Sequence, residues 1–357
     1  MADYYVDPAM TGGANDGGSD GAALDPTDSA NWTDAWLSLQ SAADTATASD
    51  TVFCRGTQTL TAPIDFDTNQ GGFGGGFIKF VGCAADGTID GTTFKLDGDS
   101  AAVNCIRDNG AVITNIWLEN IECYSATGAG VLWTVGNVWM LINVISHTNG
   151  THGFDASNGS MDHATFIKCR AYGNTDDGFA LGSGTYNCFF LLCSAYDNSD
   201  CGFKYGIYTN YVYCVAHDNG SDAGDSGFNF WTSSNTINCV ANSEVAGIFA
   251  TNDSGRSIAT RLINCTTGID FNDQRITCGW NVFANNTNDR TNPTVWDWEG
   301  VFSVYVTNES TTNTNKDDPD GATDDGMTDA SNKDFNLEAG KTYSGDGSDT
   351  VGLNIGS

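Results

Sequence analysis

Short runs of alternating apolar and polar residues, separated by Gly, Asn, Asp and Ser, fill the middle of this chain. Two neighbouring segments show the same pattern: FIKCRAYGNTDDGF, which begins at Phe166, and FLLCSAYDNSDCGF, which begins at Phe190. Alternation with period two over about five residues, bounded by turn-forming residues, is typical of β-strands and not of helices. A unit of this kind that recurs every 20 to 50 residues predicts a solenoid.

Three kinds of position recur along the chain and carry the repeat. The first is a cysteine, with Ile145 in its place in one coil: Cys123, Cys169, Cys193, Cys214, Cys239 and Cys265. The second is a Gly followed by an apolar residue: Gly153-Phe154, Gly178-Phe179, Gly202-Phe203, Gly227-Phe228, Gly247-Ile248 and Gly268-Ile269. The third is an asparagine between them: Asn149, Asn174, Asn198, Asn219 and Asn242.

One such coil cannot bury its own apolar face, whereas stacked coils bury a continuous interior. We therefore predict an all-β fold, a single-stranded parallel β-helix of about ten coils, in which equivalent residues stack at the inter-strand spacing. We expect one structural domain with three parts: an N-terminal strand, Gly/Asp loop and capping helix (1–49), the β-helix (50–307), and an acidic loop with a closing segment (308–357).

Helical spacing of Trp32, Trp36, Leu39 and Ala43 predicts a short amphipathic helix over Thr33–Thr47. An open sheet end invites aggregation, so we expect this helix to cover the first coil, with both tryptophans packed inside the cap. At the other end, alternation over 301–306 predicts one more strand. The acidic stretch 317–329 is interpreted as a solvated loop, with a calcium loop as the alternative.

The charge balance restricts the partners of the chain. It has 14 Lys plus Arg against 45 Asp plus Glu, a formal charge of −31. Nucleic acid is excluded as a partner because phosphate neutralisation needs clustered Lys and Arg. Asp in the turns of a Gly-rich repeat, divalent-cation binding, and residence in a salty medium remain alternative explanations.

The chain contains 12 cysteines. Stacked side chains leave the backbone in parallel, with their Cβ atoms farther apart than a disulfide allows, so we predict free buried thiols. No Cys-x-x-Cys is present, and we do not expect zinc. Met1 is not followed by a basic and then apolar segment, and no run reaches transmembrane length. We therefore predict no signal peptide and no membrane insertion.

The repeat resembles the coils of the right-handed parallel β-helix proteins of the pectate-lyase superfamily. The opening is also similar, with Tyr4-Tyr5-Val6-Asp7 followed by Asn15-Asp16-Gly17 and Asp50-Thr51-Val52-Phe53, and so is the closing Asp334-Phe335-Asn336-Leu337. The resemblance covers nearly the whole chain and implies the fold. By analogy with β-helix proteins that lack a signal peptide, it also implies a phage particle, or the medium after lysis, as the location.

Asp176-Asp177-Gly178-Phe179, followed one coil later by Gly202-Phe203-Lys204, is similar to the family 9 polysaccharide lyases. That resemblance implies calcium ligands at Asp176 and Asp177, joined by Asp200 in the same column of acids, and Lys204 as the base that removes the C5 proton of a uronate. The chain departs from the family at Ala180 and at Thr151-His152, where acids are expected. Carboxylates around Lys204 would also raise its pKa, which is unfavourable for a base.

Strand alternation predicts an outward column of Asp155, Ala180, Lys204 and Asn229. Aromatic residues of the same region suit glycan binding, and our candidates for substrate contact are Tyr205, Tyr208, Asp155 and Asn229. A further column, Asp176, Asp200 and Asp225, either holds a cation or faces solvent. The four histidines, including His152, receive no role.

Three functional hypotheses follow. The leading one is a phage virion-type structural or glycan-recognising protein, as head decoration or tail-associated, with a degenerate lyase-like site. Its partners would be virion proteins, a second copy of itself, or a cell-surface polysaccharide. The main rival is an active calcium-dependent polysaccharide lyase, and the third hypothesis is a cell-surface adhesin. The sequence leaves open whether the protein is an enzyme.

Overall fold

The computed structural model describes residues 2–11, 25–67, 76–108, 113–251, 255–270, 276–279, 281–284, 286–291 and 304–306. The predicted acidic loop and closing segment at 308–357 lie outside these residues, as does most of the Gly/Asp-rich loop near the N-terminus. Within the described part, the chain winds through three parallel sheets in turn, and the predicted parallel β-helix is confirmed.

Sheet 1 has 12 strands, of which Ser160–Asp162 pairs beside the first half of Val135–Ile142. The others, in spatial order, are Asp3–Val6, Thr51–Arg55, Ile78–Cys83, Ile113–Glu119, Val135–Ile142, Thr165–Ile167, Phe189–Leu191, Asn210–Val212, Asn235–Ile237, Gly255–Ile258 and Ile276–Gly279.

Sheet 2 follows sheet 1 along each coil and has 11 strands. They are Thr57–Thr59, Phe94–Asp97, Ile121–Tyr124, Ile145–His147, Arg170–Tyr172, Ser194–Tyr196, Val215–His217, Val240–Asn242, Arg261–Ile263, Val282–Ala284 and Val304–Val306. The last of these confirms the strand that alternation predicts near the C-terminal end.

Sheet 3 completes each coil and has ten strands, one per coil. They are Ile64–Phe66, Ile106–Asp108, Val131–Leu132, Phe154–Ala156, Phe179–Leu181, Phe203–Lys204, Ser226–Phe230, Ala246–Ala250, Thr267–Asp270 and Asn288–Thr291.

The core is built from vertical files of equivalent side chains. The predicted Gly-plus-apolar column forms one file in sheet 3, because Phe154, Phe179, Phe203, Phe228, Ile248 and Ile269 are register partners on successive rungs. The phenyl rings of Phe154, Phe179 and Phe203 stack with centroids 4.6 and 4.8 Å apart. Stacked coils thus bury the apolar side chains that a single coil would leave exposed.

The asparagine column forms a buried hydrogen-bond ladder. The Oδ1 atom of Asn198 accepts from Asn174 Nδ2 at 2.9 Å, and Asn198 Nδ2 donates to Asn219 Oδ1 at 2.8 Å. A glycine is required beside this ladder. A Cβ atom on Gly178 would lie 2.7 Å from the Gly202 carbonyl oxygen and 2.9 Å from Asn198 Nδ2, closer than side-chain atoms pack.

Two of the predicted columns need correction at their ends. Backbone hydrogen bonds place Cys169, Cys193, Cys214 and Cys239 in one file, which continues to Val144 on one side and Thr260 on the other. Cys123 instead pairs with Ser146, so neither Cys123, Cys265 nor Ile145 belongs to that file. The 26-residue spacing from Cys239 to Cys265 misled the prediction, since the coil itself has 21 residues there: Val240 pairs with Arg261.

The asparagine ladder also ends one coil earlier than predicted. Asn242 pairs with His217 on the outer side of sheet 2. The ladder position belongs to Glu244, whose Oε1 accepts from Asn219 Nδ2 at 2.9 Å and whose Oε2 accepts from the Asn219 N–H at 3.3 Å. Glu244 is 2% exposed.

All cysteines in the part of the chain that has described side chains are buried and free, as predicted. The capping helix is shorter than predicted. Ser29–Trp32 is a 3-10 helix, and the α-helix runs over Leu39–Thr45 with Ser38 as its N-cap, because Trp36 forms a parallel bridge to Val6 instead of a helical turn. Trp32 and Trp36 are buried against Tyr5 and Tyr4, which confirms cap packing.

The capping helix packs against the first strands of sheets 1 and 3. Gln40 fixes it there, with Nε2 donating to the Asp65 carbonyl oxygen at 2.9 Å and Oε1 accepting from the Asp65 N–H at 2.7 Å. The edge strand Ile64–Phe66 is therefore partly paired by a side chain. None of the described helices has the length and apolar character needed to cross a bilayer.

Candidate functional site

The candidate site lies on the outer side of sheet 3, around Lys204. Phe203 points into the core, so its neighbour Lys204 points outward. The register places Asp155 opposite Ala180, Ala180 opposite Lys204, and Lys204 opposite Asn229. The predicted outward column is therefore a real file, and Lys204 supplies its one ammonium group.

Lys204 is paired with two carboxylates. Its Nζ lies 2.8 Å from Asp200 Oδ2 and 3.1 Å from Asp177 Oδ2, and 23% of its side chain is exposed. Burial alone would lower the pKa of Lys204, but Asp177 and Asp200 outweigh it and hold the pKa well above its usual range. Burial alone would raise the pKa of Asp200, but hydrogen bonds from Lys204, Asp225 and Cys201, together with the charge of Lys204, outweigh it and lower the pKa to about 2.

The acids reach Lys204 from the turn that precedes sheet 3. The backbone hydrogen bonds of that turn stack Asp176, Asp200 and Asp225 on three successive rungs, as predicted. Burial and the neighbouring Asp200 raise the pKa of Asp225, whose Oδ2 accepts from the Ser221 and Asp222 N–H groups. Asp225 is thus part of a local turn, while Asp200 faces the lysine.

Asp177 is the buried member of the cluster, with 1% of its side chain exposed. Its Oδ1 accepts from the Cys201 N–H at 3.1 Å. Its Oδ2 lies 3.1 Å from Lys204 Nζ and 3.2 Å from His152 Nδ1, but neither contact has hydrogen-bond geometry. Among the described residues, this oxygen has no hydrogen-bond partner, which is unusual for a buried carboxylate.

His152 belongs to the site, although the sequence analysis gives it no role. It lies one rung before Asp177, with Nδ1 3.2 Å from Asp177 Oδ2 and Nε2 3.6 Å from Asp176 Oδ2. Burial lowers the pKa of His152, but Asp177, Asp155 and Asp176 outweigh this and leave it raised. The signal that could have identified it is its position directly before a repeat glycine, one coil before Asp177-Gly178.

The four predicted substrate contacts are only partly brought together. Asn229 lies one rung after Lys204 in its file, and Asp155 lies two rungs before it. Each is already engaged: Asp155 Oδ1 accepts from Ser157 Oγ at 2.6 Å, and Asn229 Oδ1 accepts from Thr251 Oγ1 at 2.6 Å. The Tyr205 ring centroid is 5.8 Å from Lys204 Nζ. Tyr208 lies on the following corner, where 52% of it is exposed.

Two further aromatic features bear on the site. Trp231 packs edge-on against Tyr205 with centroids 5.0 Å apart and joins the site. Tyr172 and Tyr196 instead stack in a file on sheet 2, and the faces of their rings are covered by each other and by His147 and His217. A sugar ring needs a free aromatic face, so the inner rings of this file are not sugar platforms.

The residues do not fit calcium as they are arranged. Asp177 lies close to Asp176 and His152 on one side and to Asp200 and Cys201 on the other, but calcium takes six to eight oxygen ligands. The ammonium group of Lys204 lies between Asp177 and Asp200, where the cation would bind, and His152 stands where a fourth acid is needed. The cluster thus neutralises itself in part with its own lysine.

Comparisons with known proteins locate the fold. No protein-family model matches the sequence, and no curated protein matches it. A crystal structure of pectate lyase Pel9A superposes with a TM-score of 0.61 at 17% identity, covering 88% of this chain and 80% of that one. A rhamnogalacturonan lyase gives 0.60 at 13% identity, covering 85% and 87%.

The A-module of the Azotobacter vinelandii mannuronan C-5 epimerase AlgE4 is also similar. Its TM-score is 0.52 at 13% identity, covering 71% of this chain and 86% of that module. The chain therefore has a pectate-lyase-like parallel β-helix fold, as the sequence resemblance implies. Identities this low show a shared fold and leave the activity to be argued from the site.

Proposed function

We propose that this chain is a glycan-recognising β-helix protein whose lyase-like site binds a carbohydrate without cleaving it. The observation that carries the proposal is the position of the Lys204 ammonium between Asp177 and Asp200. A general base must be neutral to accept the C5 proton of a uronate, and both carboxylates stabilise the protonated lysine. With a pKa above its usual value near 10.4, less than about 0.1% of Lys204 is neutral at pH 7.

The charge of the site favours neutral glycans over uronates. Asp176, Asp177 and Asp200 carry three acidic groups against one lysine and His152. Sugar hydroxyls can donate hydrogen bonds to the half-exposed Asp176 and Asp200, whereas a uronate carboxylate would be repelled. Tyr205 and Trp231, beside Lys204, supply the apolar contact that a sugar ring needs.

Binding and cleavage can be tested on the same preparations. Wild type and Lys204→Ala are incubated with polygalacturonate and with alginate, each with and without millimolar calcium, and unsaturated product is read at 232 nm. We expect no product from either protein. Product formed by wild type and abolished by Lys204→Ala would overturn the non-catalytic assignment.

Binding is measured by calorimetry against neutral oligosaccharides and uronate oligomers. We expect the wild type to bind at least one neutral glycan. Tyr205→Ala should weaken that binding about tenfold, because one aromatic contact contributes about 1.4 kcal/mol to the binding free energy. Tyr196→Ala, which alters a ring of the sheet 2 file, is the matched control and should bind as wild type does. Equal loss in both variants would contradict the placement of the site.

The rival function, calcium-dependent β-elimination, is favoured by one observation. The Oδ2 atom of Asp177 is buried without a hydrogen bond in the described part of the chain, and an unsatisfied buried oxygen is a natural metal ligand. If this hypothesis is right, calcium should raise the melting temperature of wild type and not that of Asp177→Asn. We expect no such difference.

The expected place in a virus particle, as head decoration or tail-associated, and release by lysis remain predictions from the sequence, as does the adhesin alternative. Immunogold electron microscopy of particles and of producing cells separates them. Label on heads or tails supports the virion hypothesis, and label on the cell envelope supports the adhesin.

A further inference from the structure

A vertical file of aliphatic side chains lies on the outer side of sheet 1, facing away from the core. Its six members are partners on successive rungs: Ile142, Ile167, Leu191, Val212, Ile237 and Ile258. Each is only half-buried. Six rungs at the inter-strand spacing make a stripe roughly 24 Å long. In a sheet that faces water, outward positions are normally polar and alternate along each strand with apolar core positions. A continuous aliphatic stripe on the outer side therefore needs an explanation.

Three further files flank this stripe, and together the four files form what we call the apolar face. On one side is the file Met140, Thr165, Phe189, Asn210, Asn235 and Arg256; on the other side are the corner file Asn143, Lys168, Leu192, Tyr213, Asn238 and Ala259, and the sheet 2 file Ile145, Arg170, Ser194, Val215, Val240 and Arg261.

The apolar face carries no acidic residue, although the chain has a formal charge of −31. Its charged members are cationic: Lys168, Arg170, Arg256 and Arg261. Most acids of the same coils lie elsewhere: on sheet 3, in the turn before it and on the corner after sheet 2. Asp162 ends a sheet 1 strand, where it pairs with Asn137. Two copies of so acidic a chain repel each other along most of their surfaces, and this face is where that repulsion is weakest.

Two corner residues of the face indicate selection for apolar contact. Leu192 and Tyr213 have φ angles of 57° and 53°, in the left-handed region, and are 49% and 54% exposed. Asn143 and Asn238 occupy the same corner on other rungs with the same backbone conformation, and Asn adopts it at lower cost. Exposed Leu and Tyr at these positions gain nothing from the fold itself.

We propose that the apolar face binds a second copy of this chain, side by side and antiparallel. The four files, which run from sheet 1 around the corner onto sheet 2, span about 16 Å along the chain, which gives a footprint of roughly 400 Å² per copy. That is about half of what a standard stable interface buries per partner, so we expect a reversible dimer with a Kd in the micromolar range.

The antiparallel direction follows from charge. The rung that precedes Ile142 and Ile145 carries Glu119 and Glu122 in the same two files. A twofold axis that crosses the face at the Leu191 rung brings Glu122 of one copy, which also pairs with Lys95 and His147 of its own chain, opposite Arg261 of the other, twice per dimer. A parallel arrangement, with the twofold axis along the solenoid, would instead bring Arg261 of one copy opposite Arg256 of the other, so that two cations face each other.

The association is tested by sedimentation equilibrium of the full chain from about 1 to 200 μM. We expect wild type to approach twice its mass of 37.7 kDa as concentration rises. Added salt should strengthen the dimer, because it screens the repulsion between two acidic chains. Leu191→Asp places two carboxylates at the twofold axis and should leave a monomer throughout. Ser199→Asp adds the same charge on the acidic side and should dimerise as wild type does.

The direction is tested by a pair of charge reversals. Arg261→Glu sets two acids against each other in the antiparallel arrangement and should weaken the dimer about tenfold. Arg170→Glu lies one rung from the twofold axis, opposes Val215 of the other copy and should have a smaller effect. Variants are compared only if their circular dichroism melts match wild type.

Wild type that stays monomeric over the whole range, or Leu191→Asp that dimerises like wild type, would overturn the proposal. So would an assembly larger than a dimer, or a stronger effect of Arg170→Glu than of Arg261→Glu. All of these outcomes are independent of whether the lyase-like site binds a glycan.

Discussion

In the coils between Asn149 and Phe230, the positions that face the core and the positions that face outward differ in how strictly they repeat one residue type. Inward files repeat one residue type from rung to rung, as in Phe154, Phe179, Phe203 and Phe228. The outward file beside them reads Asp155, Ala180, Lys204 and Asn229, with a different chemistry on every rung. The backbone pairing is the same in both, so the solenoid separates the residues that stabilise it from the residues that can carry a function.

The inward side explains stability by repetition. A stacked ring contacts equivalent rings above and below, and a ladder asparagine satisfies its neighbours as it is satisfied by them. Each inward residue therefore supports three coils. The outward residues of the sheet 3 file lack this coupling, and a change there should act locally.

The largest expected effect comes from removing a ring in the inward file. Phe179→Ala deletes a fully buried side chain that stacks on Phe154 and Phe203, and should lower the free energy of unfolding by about 3–5 kcal/mol. Tyr208→Ala, at a half-exposed corner, is the control and should cost less than about 1 kcal/mol. Denaturant titration measures both, and similar losses would erase the distinction between the two sides.

A somewhat smaller loss is expected from the asparagine ladder. Asn198→Ala removes the acceptor for Asn174 and the donor to Asn219 and to the Ala171 carbonyl oxygen, all of them buried. Unsatisfied buried groups should then cost about 2–4 kcal/mol. Asn158→Ala, on the exposed turn, serves as the matched variant and should leave the unfolding midpoint nearly unchanged. If Asn158→Ala destabilised the protein as much as Asn198→Ala does, the stabilising role of the asparagine ladder would be contradicted.

The smallest expected effect concerns Glu244, the buried residue that replaces asparagine at the end of the ladder. Burial raises the pKa of Glu244 to about 8, from an ordinary value of 4.5. The stabilisation that the neutral Glu244 carboxyl gives the folded state is therefore fully present below pH 4.5, where the folded and the unfolded chain both hold the proton. It is lost as the pH rises towards 8. Glu244→Gln has the same shape and cannot ionise.

We expect the stability of wild type to fall by about 1–3 kcal/mol relative to Glu244→Gln between pH 5 and pH 8. Denaturant midpoints at several pH values give the difference. Parallel pH profiles for the two proteins would show that Glu244 does not hold its proton in the folded state.

Much of the fold follows from the sequence, because the inward files are read directly from recurring residues. The files of Phe, of Cys169 to Cys239 and of Asn149 to Asn219 were predictable, since alternation fixes which side chains point inward. Errors arose where coil length changes. The coil that follows Cys239 is short, so Cys265 falls into another file. The coil from Asn219 to Glu244 is 25 residues long, so Asn242 comes too early for the ladder.

The candidate site was predictable in composition but not in contacts. The sequence placed Asp176, Asp177, Asp200 and Lys204 near one another, since they recur at the coil spacing. It did not place the ammonium of Lys204 between two of those acids, nor His152 against Asp177, because side-chain pairing between rungs depends on rotamers and burial that no repeat specifies.

The sequence by itself determined that this protein is a parallel β-helix, because a periodic chain can bury its apolar residues only by stacking one coil on the next. Only the tertiary structure decided how the outward residues combine. It brought Lys204 between Asp177 and Asp200, and it aligned six aliphatic residues from six coils into one acid-free face. Such groupings arise from register between distant segments, and register is a property of the folded chain.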